Sequence, residues 1–360
     1  VVKESNADLG VMISASHNPM PDNGIKFFAK GGDKLADQVE AQIEARLGES
    51  WSRPTGLDVG RIFLDESAKK RYIDHLLSTM STKLHGLKVV VDCANGAAST
   101  VAPSAYEQAG AVVTAISATP TGWNINENCG STHLENLIKE VKKTGADIGI
   151  AHDGDADRCL MVAKNGEIID GDQILNILAT AYLAEGKLNK QTVVGTVMSN
   201  LGFIKSMQAA DIKFEKTAVG DRYVLEKMLE NDYTLGGEQS GHIIMRQFSN
   251  TGDGLLTALQ VMQVVVKSKK SLQELASTMQ KYPQILINVK DVAKEKLASS
   301  AKIKDAILES EKELAATGRV LLRASGTESL VRVMVEANDL ELAQKVADSL
   351  AQLVRSELKQ

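Results

Sequence analysis

The sequence of 360 residues has few of the features that mark specialised classes of protein. Its three cysteines, Cys93, Cys129 and Cys159, are widely spaced and form no Cys-x-x-Cys pair, which argues against a disulfide framework and favours a reducing compartment. Apolar runs such as residues 261–266 are far shorter than the roughly 20 residues that a membrane-spanning helix needs. The formal net charge of −5 offers no general attraction for nucleic acid. We therefore predict a cytoplasmic protein without a membrane or nucleic-acid partner.

The remaining composition is typical of a globular protein with several domains. The chain is longer than the roughly 250 to 300 residues at which a single core stops growing. Apolar, β-rich runs predict strands at residues 10–13, 88–91, 111–116, 148–151, 160–163 and 192–198. Helical spacing predicts helices at residues 37–47, 66–80, 99–109, 133–144, 171–184 and 221–230. This alternation predicts α/β domains, followed by a smaller α+β domain with the order strand, helix, strand, strand, helix.

Three breaks in the pattern predict the domain boundaries. They are the Pro- and Gly-containing stretch at residues 51–60, the pair Asp170-Gly171, and Tyr282-Pro283, where the preceding helix must stop. The predicted domains are residues 1–60, 61–170, 171–283 and 284–360. Because the chain begins with Val1 and opens almost at once on a predicted strand, we also expect the N-terminal part of the first domain to be missing.

The segment AHDGDADR, residues 151–158, places three carboxylates in one short turn between two apolar strands. Asp153, Asp155 and Asp157 repel one another unless a cation lies among them, and Mg²⁺ with carboxylate and phosphate ligands fits such a cluster. A calcium loop is disfavoured, because Arg158 replaces the required glycine and Lys164 the required glutamate. The alternative is a solvated acidic turn.

The segment SASHNPMPDNGIK, residues 14–26, contains a serine in a stiffened loop. It has no G-x-S-x-G elbow, and His17 directly follows Ser16, so a Ser–His proton relay is not the natural interpretation. Together with a magnesium-binding loop, however, the Ser16 hydroxyl predicts a phosphoryl carrier, because phosphoryl transfer depends mainly on positioning and charge neutralisation. We expect Lys26, after the turn at residues 22–24, to return beside this serine; an ordinary surface lysine is the alternative.

Several segments in a fixed order carry a family resemblance: SASHNP with NGIKFF, DGDADR, GGEQSGH and RASGTES. Together they resemble the α-D-phosphohexomutases over essentially the whole chain. Within that family, VGDRYV and GEQSGH are most similar to bacterial members that act on glucosamine phosphates. The resemblance implies three mixed-sheet α/β domains, the first one truncated, and a C-terminal α+β domain around a central cleft.

The resemblance also implies a role for each matching residue. It makes Ser16 a phosphoserine that binds one Mg²⁺ per active site together with Asp153, Asp155 and Asp157. It makes Lys26, Arg158 and His242 the other catalytic residues. It implies that the substrate is bound by His17, Gly220, Asp221, Arg222, Glu238, Ser240, Arg323, Ser325, Gly326, Thr327 and Arg332.

Some of these positions have simpler interpretations. His242 is compatible with a structural histidine, Asp221 with a helix cap, and residues 250–254 with a cap and turn. Alternation along the last strand does not fix the direction of Arg332. The family usually has proline where this chain has Ala324, and again at Ser329, which leaves the phosphate-binding residue types in place.

The implied activity is the interconversion of glucosamine 6-phosphate and glucosamine 1-phosphate through a phosphoserine and a bisphosphorylated sugar. This is an intramolecular phosphotransfer of the isomerase class, in amino-sugar metabolism and peptidoglycan precursor synthesis. The resemblance allows a homodimer. Three alternatives are a phosphomannomutase or phosphoglucomutase, a phosphatase with an aspartate nucleophile, and a phosphosugar-binding fragment that is inactive because its N-terminus is missing.

Overall fold

The computed structural model describes residues 1–325 and 329–359. The strands are β1 (Leu9–Ile13), β2 (Ile25–Ala29), β3 (Lys88–Asp92), β4 (Val112–Ile116), β5 (Ile148–Ala151), β6 (Leu160–Ala163), β7 (Ile168–Ile169), β8 (Thr192–Thr196), β9 (Lys213–Thr217), β10 (Leu235–Gly237), β11 (Ile243–Met245), β12 (Gln284–Lys290), β13 (Gly318–Ala324) and β14 (Leu330–Ala337). The helices are α1 (Asp37–Ala45), α2 (Ala68–Ser78), α3 (Ala102–Ala109), α4 (Glu135–Thr144), α5 (Gly171–Ala184), α6 (Leu201–Ala209), α7 (Asp221–Asn231), α8 (Gly254–Ser268), α9 (Leu272–Ala276), α10 (Ala301–Leu314) and α11 (Leu340–Glu357).

The chain divides into two compact units, and neither is continuous in sequence. The first comprises Val1–Thr196 and Glu215–Ala276, and the second comprises Val197–Phe214 and Ser277–Gln360. Within the part of the chain that the structure describes, no helix is both long and apolar enough to cross a membrane.

A five-stranded mixed sheet with the order β4-β3-β5-β6-β7 lies in the first unit. Strand β3 runs parallel to β4 and β5, whereas β5 and β6 are antiparallel, so the acidic loop is the connection between neighbouring strands. Every residue of β5 is buried, as expected for a strand covered on both faces. Helix α4 covers one face, because its apolar stripe of Leu137 and Val141 packs against Val90 and Val162.

The serine loop is the connection of a two-stranded hairpin in the same unit. Strands β1 and β2 are antiparallel, with Met12 opposite Lys26 and Ile13 opposite Ile25. This register returns Lys26 to the base of the loop that begins at Ser14. The expectation that the lysine comes back towards the serine is therefore built into the pairing of the hairpin.

A further sheet with the order β11-β10-β8-β9 carries the glycine-rich segment GGEQSGH. The short strands β10 and β11 are antiparallel and join across this segment. Helix α8 is almost entirely buried, and Asp253 caps its N-terminus by accepting a hydrogen bond from the Leu256 N–H at 2.9 Å. The predicted cap at residues 250–254 is confirmed.

The second unit contains a three-stranded antiparallel sheet with the order β12-β14-β13. Helices α10 and α11 bury apolar side chains against it, including Ile303, Val346 and Leu350 around Val331 and Val333. The predicted order of strand, helix, strand, strand, helix is confirmed, and so is the α/β character of the preceding chain.

Candidate active site

Ser16 is held against the acidic loop through both its side chain and its backbone. Its hydroxyl donates to Asp153 Oδ2 at 3.0 Å, and its backbone N–H donates to Ser14 Oγ at 2.9 Å. The Ser14 hydroxyl in turn donates to Asp155 Oδ2 at 2.8 Å. Two hydroxyls of one short loop thus bind two different carboxylates of the other loop.

Asp153, Asp155 and Asp157 form a compact carboxylate cluster. One oxygen from each residue lies within 4.8 Å of the others, and the Asp153 side chain is fully buried. Asp155 Oδ1 and Asp157 Oδ1 are buried and have no hydrogen-bond partner within residues 1–325 and 329–359. Because buried carboxylate oxygens need a partner, and hard oxygen ligands suit Mg²⁺, these residues fit a magnesium ion.

Two cations border the cluster. Lys26 Nζ lies 2.6 Å from Asp155 Oδ2 and 3.6 Å from Asp157 Oδ2. Arg158 Nε is 3.9 Å from Asp153 Oδ2, while the Arg158 backbone N–H donates to the other oxygen of that aspartate at 3.2 Å. The surface-lysine alternative for Lys26 is wrong, because its ammonium group is engaged by the cluster.

The carboxylates are not electrostatically equivalent. Burial, followed by the charges of Asp157 and Asp155, raises the pKa of Asp153 to about 6. Burial also opposes the charge of Asp157, but the hydrogen bond and the charge of His242 outweigh it and hold the pKa of Asp157 well below its usual range. For Lys26, burial favours the neutral amine, yet the hydrogen bond to Asp155 and the nearby carboxylates raise its pKa overall. The cluster therefore keeps its lysine charged.

The glycine-rich segment is joined to the acidic loop through the backbone. Arg158 and His242 form an isolated antiparallel bridge, and the Cys159 N–H donates to the Gly241 carbonyl at 3.0 Å. These contacts bring His242 beside the carboxylates. Its Nδ1 lies 3.5 Å from Asp157 Oδ2, and its Nε2 lies 3.5 Å from Asp221 Oδ2.

His242 also has a structural partner. The Gly252 backbone N–H donates to His242 Nε2 at 3.2 Å, which places the ring hydrogen on Nδ1, towards Asp157. This bond supports the structural interpretation of His242. The proton-transfer interpretation stays a prediction, and it requires Nε2 to release the Gly252 N–H when it takes up a proton.

The predicted sugar-binding side chains lie on the same segment. Glu238 Oε1 accepts a hydrogen bond from the Gly220 N–H at 3.0 Å, which ties the glycine-rich segment to the loop before α7. Ser240 Oγ is buried and has no hydrogen-bond partner among the described residues. A sugar hydroxyl is a suitable partner for an oxygen of this kind.

The loop before α7 differs from the helix-cap alternative. Gly220 is the N-cap residue, and Asp221 is the first residue of the helix. The Asp221 carboxylate instead pairs with Lys34, a residue that the sequence patterns do not single out. Arg222 Nε pairs with Glu226 Oε1 at 2.9 Å on the same helix.

His17 is half-buried on the serine loop. Burial, followed by the charge of Arg158, lowers the pKa of His17. Its Nδ1 atom is buried and has no hydrogen-bond partner within the described ranges. A neutral imidazole at this position offers one donor or acceptor to a ligand.

The predicted phosphate loop belongs to the second unit, and Gly326 and Thr327 lie outside the described residues. Arg323 and Arg332 are cross-strand partners in β13 and β14, so they share one face of the sheet. The phosphate-binding role of Arg332 stays a prediction. Lys294 Nζ donates to the carbonyl of the buried Ser325 at 2.6 Å, which adds a third cation that the sequence patterns miss.

The fold and the site define a class of protein. The four phosphoglucomutase/phosphomannomutase models match in chain order: α/β/α domain I at residues 1–52, domain II at 70–166, domain III at 170–282 and the C-terminal domain at 286–353. The chain belongs to the phosphoglucomutase/phosphomannomutase family. The match of the first-domain model gives no support to the prediction that the N-terminal part of this domain is missing.

The most similar relatives include several named phosphoglucosamine mutase. The chain is 56% identical over 357 residues to the protein from Streptomyces griseus and 55% identical over 358 residues to that from Paenarthrobacter aurescens. The alignments cover 98% and 99% of this chain and 79% of each relative.

Solved structures show the same fold at low sequence identity. A phosphoglucomutase/phosphomannomutase family protein from Burkholderia thailandensis superposes with a TM-score of 0.80 at 23% identity, covering 97% of this chain and 76% of the other. The N-acetylphosphoglucosamine mutase of Aspergillus fumigatus, solved in complex with GlcNAc-6P and magnesium, superposes with a TM-score of 0.75 at 18% identity. The match covers 99% of this chain and 90% of the other.

Proposed function

We propose that this chain interconverts glucosamine 6-phosphate and glucosamine 1-phosphate, as a magnesium-dependent phosphotransferase of the isomerase class. The observation that carries the proposal is the hydrogen bond from the Ser16 hydroxyl to Asp153 within a carboxylate cluster that fits Mg²⁺. The identity of 55–56% to relatives named phosphoglucosamine mutase supports the choice of sugar.

The reaction uses Ser16 as a reversible phosphoryl carrier. The bond from phosphorus to the Ser16 oxygen breaks as a bond to the free sugar hydroxyl oxygen forms. The hydroxyl proton passes to His242, and the Lys26 ammonium group donates a proton to the serine oxygen. Both proton transfers reverse in the second half of the reaction. The bisphosphorylated sugar then reorients, and its other phosphate returns to Ser16. Bound magnesium supplies positive charge that neutralises the phosphoryl oxygens.

The other side chains bind and orient the substrate. Lys26 and Arg158 add positive charge beside the carrier, and Glu238 and Ser240 hold sugar hydroxyls. His17 and the segment 220–222 contribute to substrate selection. We assign the phosphate that is not reacting to Arg323, Ser325, Gly326, Thr327 and Arg332.

The finer organisation is also a proposal. We propose four domains with boundaries at residues 1–60, 61–170, 171–283 and 284–360. Free, buried Cys93, Cys129 and Cys159 support a cytoplasmic location. A small phosphosugar is the partner, and a homodimer stays a prediction.

The decisive experiment offers the purified chain equal concentrations of glucosamine, glucose and mannose 6-phosphates with Mg²⁺. We expect glucosamine 6-phosphate to have the highest kcat/KM, by at least about tenfold. A preference for glucose or mannose would replace the substrate with that of a phosphoglucomutase or phosphomannomutase.

Ser16→Ala separates the mutase from a phosphatase with an aspartate nucleophile. We expect turnover to fall by about a thousandfold or more, because the carrier oxygen is gone. Ser78→Ala is the matched control, since the Ser78 hydroxyl is exposed and, among the described residues, donates only to the His75 carbonyl of its own helix. Unchanged turnover in Ser16→Ala would exclude a phosphoserine route.

A further inference from the structure

The backbone of Ser16 has an unusual conformation. Its φ is +54°, in the left-handed region that a residue with a side chain rarely occupies. Such a conformation persists only when the surrounding structure enforces it, and it is most often found at functional sites. The contacts that enforce it at Ser16 therefore influence where the hydroxyl points.

Asn126 makes those contacts from the neighbouring α/β domain. Its side-chain amide nitrogen donates to the Ser16 carbonyl at 2.9 Å and to the Asn18 carbonyl at 2.9 Å. Because both partners are carbonyls, which only accept, the NH₂ group and not the amide oxygen must face the serine loop. Asn126 is only 6% exposed, so water cannot easily replace either hydrogen bond.

Asn126 is itself fixed to the end of strand β3 in its sheet. Its backbone N–H donates to the Ala94 carbonyl at 2.9 Å, and the Ala94 N–H donates to Asp92 Oδ1 at 2.9 Å, at the end of β3. Gly154 of the acidic loop leaves the space for this contact. A Cβ atom on Gly154 would lie 2.6 Å from the Ser16 carbonyl oxygen and 2.8 Å from Asn126 Nδ2.

We propose that Asn126 is a positioning residue for phosphoryl transfer. By binding the carbonyls on both sides of His17, it holds Ser16 in the left-handed conformation that directs the hydroxyl to Asp153. Within the described residues its side-chain hydrogen bonds go to these two backbone carbonyls and not to the magnesium-binding side chains or the sugar-binding side chains. Its loss therefore slows transfer to and from Ser16 more than it weakens sugar binding. The inference rests on the proposed mutase function.

Two substitutions separate the hydrogen bonds from the shape of the side chain. Asn126→Asp keeps the size and tolerates the φ of +57° at this residue, but its carboxylate cannot donate to a carbonyl. Asn126→Gly removes the side chain without backbone strain and without adding charge. Asn136→Ala is the matched control, because it deletes an exposed asparagine-to-carbonyl bond, to Asn128, elsewhere in the same domain.

Two rates are measured for each variant. One is steady-state turnover of glucosamine 6-phosphate, and the other is phosphorylation of Ser16 by a hexose 1,6-bisphosphate, followed by intact mass. We expect both Asn126 variants to lose about ten- to a hundredfold in kcat and in the phosphorylation rate, with KM changed by less than about threefold. Asn136→Ala should match the wild type in both.

The outcomes distinguish this inference from the proposed function. If the wild-type chain does not interconvert hexosamine phosphates, the proposed function fails. If the wild type is active but a folded Asn126 variant retains normal rates, or loses activity through KM alone, the positioning role is refuted. Asn126→Asp is the smallest change of shape, so it carries the test if Asn126→Gly does not fold.

Discussion

The Lys26 ammonium group contacts carboxylate oxygens that would also bind a metal ion. This group lies 2.6 Å from Asp155 Oδ2 and 3.6 Å from Asp157 Oδ2, inside the carboxylate cluster. Two cations that share the same carboxylate oxygens compete, because each weakens the field that attracts the other. The lysine therefore stabilises the cluster when no metal is present and opposes metal entry at the same time.

Removing the Lys26 charge should therefore change both Mg²⁺ affinity and turnover. Lys26→Ala should bind Mg²⁺ more tightly, by about tenfold or about 1.4 kcal/mol, while turnover falls about a hundredfold because a phosphate-neutralising charge is lost. Isothermal titration with MgCl₂ and steady-state kinetics measure the two effects.

Lys30→Ala is the matched control, because Lys30 follows the same hairpin strand and, in the part of the chain that the structure describes, pairs only with the exposed Asp8, at 3.3 Å. It should leave both quantities unchanged. Weaker Mg²⁺ binding in Lys26→Ala would contradict the competition.

The residue that caps the N-terminus of α8 makes the stability of this helix depend on pH. Asp253 caps this helix, and the Tyr72 hydroxyl lies 2.9 Å from each of its carboxylate oxygens. Burial raises the pKa of Asp253, and the hydrogen bonds from Leu256 and Tyr72 offset this only in part. The folded protein therefore holds a proton on Asp253 at pH values where the unfolded chain, with a pKa of about 3.9, has lost it.

The difference in bound protons determines whether Asp253 makes the protein more or less stable as pH rises. Because the folded state binds more protons, the contribution of Asp253 to stability falls as pH rises from about 4 through its raised pKa. Asn is as good an N-cap as Asp but cannot ionise, so Asp253→Asn should flatten the pH dependence of the free energy of unfolding over this range.

Urea unfolding at a series of pH values from about 4 to 8 measures this effect. Asp339→Asn is the control, because Asp339 caps α11 in the same way at an exposed position. It should retain the wild-type slope. Parallel curves for Asp253→Asn and the wild type would show that the buried carboxylate does not carry the dependence.

Elements with a clear apolar pattern could be predicted from the sequence, whereas the shortest strands could not. Strands β3 and β5 are continuous apolar runs, and α4 has a clear apolar stripe, so the sequence pattern alone identifies them. Strands β10 and β11 have three residues each, too few to show a period, and the segment that joins them contacts the backbone of the acidic loop, which lies far away in sequence.

In the candidate site, too, some residues could be predicted from the sequence and others could not. The three aspartates lie in one segment, so their proximity follows from spacing alone. Asn126, Lys34 and Lys294 were missed because each acts on a residue far away in sequence, and a single polar side chain in a loop has no pattern. The segment NINENCG, which contains Asn126, matches no sequence pattern for a functional site. The side-chain amide of Asn126 nevertheless donates two hydrogen bonds to the backbone of the serine loop.

At the scale of the whole molecule, a buried ion pair stabilises the second unit. Glu336 is fully buried, and Arg319 Nε lies 2.6 Å from its Oε2 atom. Glu336 also accepts hydrogen bonds from the Leu201 N–H at 2.8 Å and from Asn200 Nδ2 at 3.2 Å, while Arg319 donates to the Val197 carbonyl at 3.2 Å. One ion pair therefore connects the segment Val197–Phe214 to the C-terminal sheet.

The third prediction removes one charge of this pair. Glu336→Gln leaves the Arg319 charge without its partner, so the free energy of unfolding should fall by about 3 kcal/mol. Hydrogen exchange should rise in peptides from residues 197–214 and 277–359 and stay unchanged in peptides from the first unit.

Glu313→Gln, which removes the exposed pair of Glu313 with Lys345 in the same unit, should change the free energy of unfolding by less than about 0.5 kcal/mol. Equal effects of the two substitutions would indicate that the buried pair has no special role.

The discontinuous second unit has a consequence for synthesis on the ribosome. Helix α6 and its buried Phe203 and Met207 emerge from the exit tunnel long before Ser277–Gln360 has been translated. Asn200 cannot form its hydrogen bonds with Tyr282 until then. The nascent chain therefore carries this segment without its Tyr282 contacts through the translation of more than sixty intervening residues (Glu215–Ala276), a stage at which a chaperone can bind it.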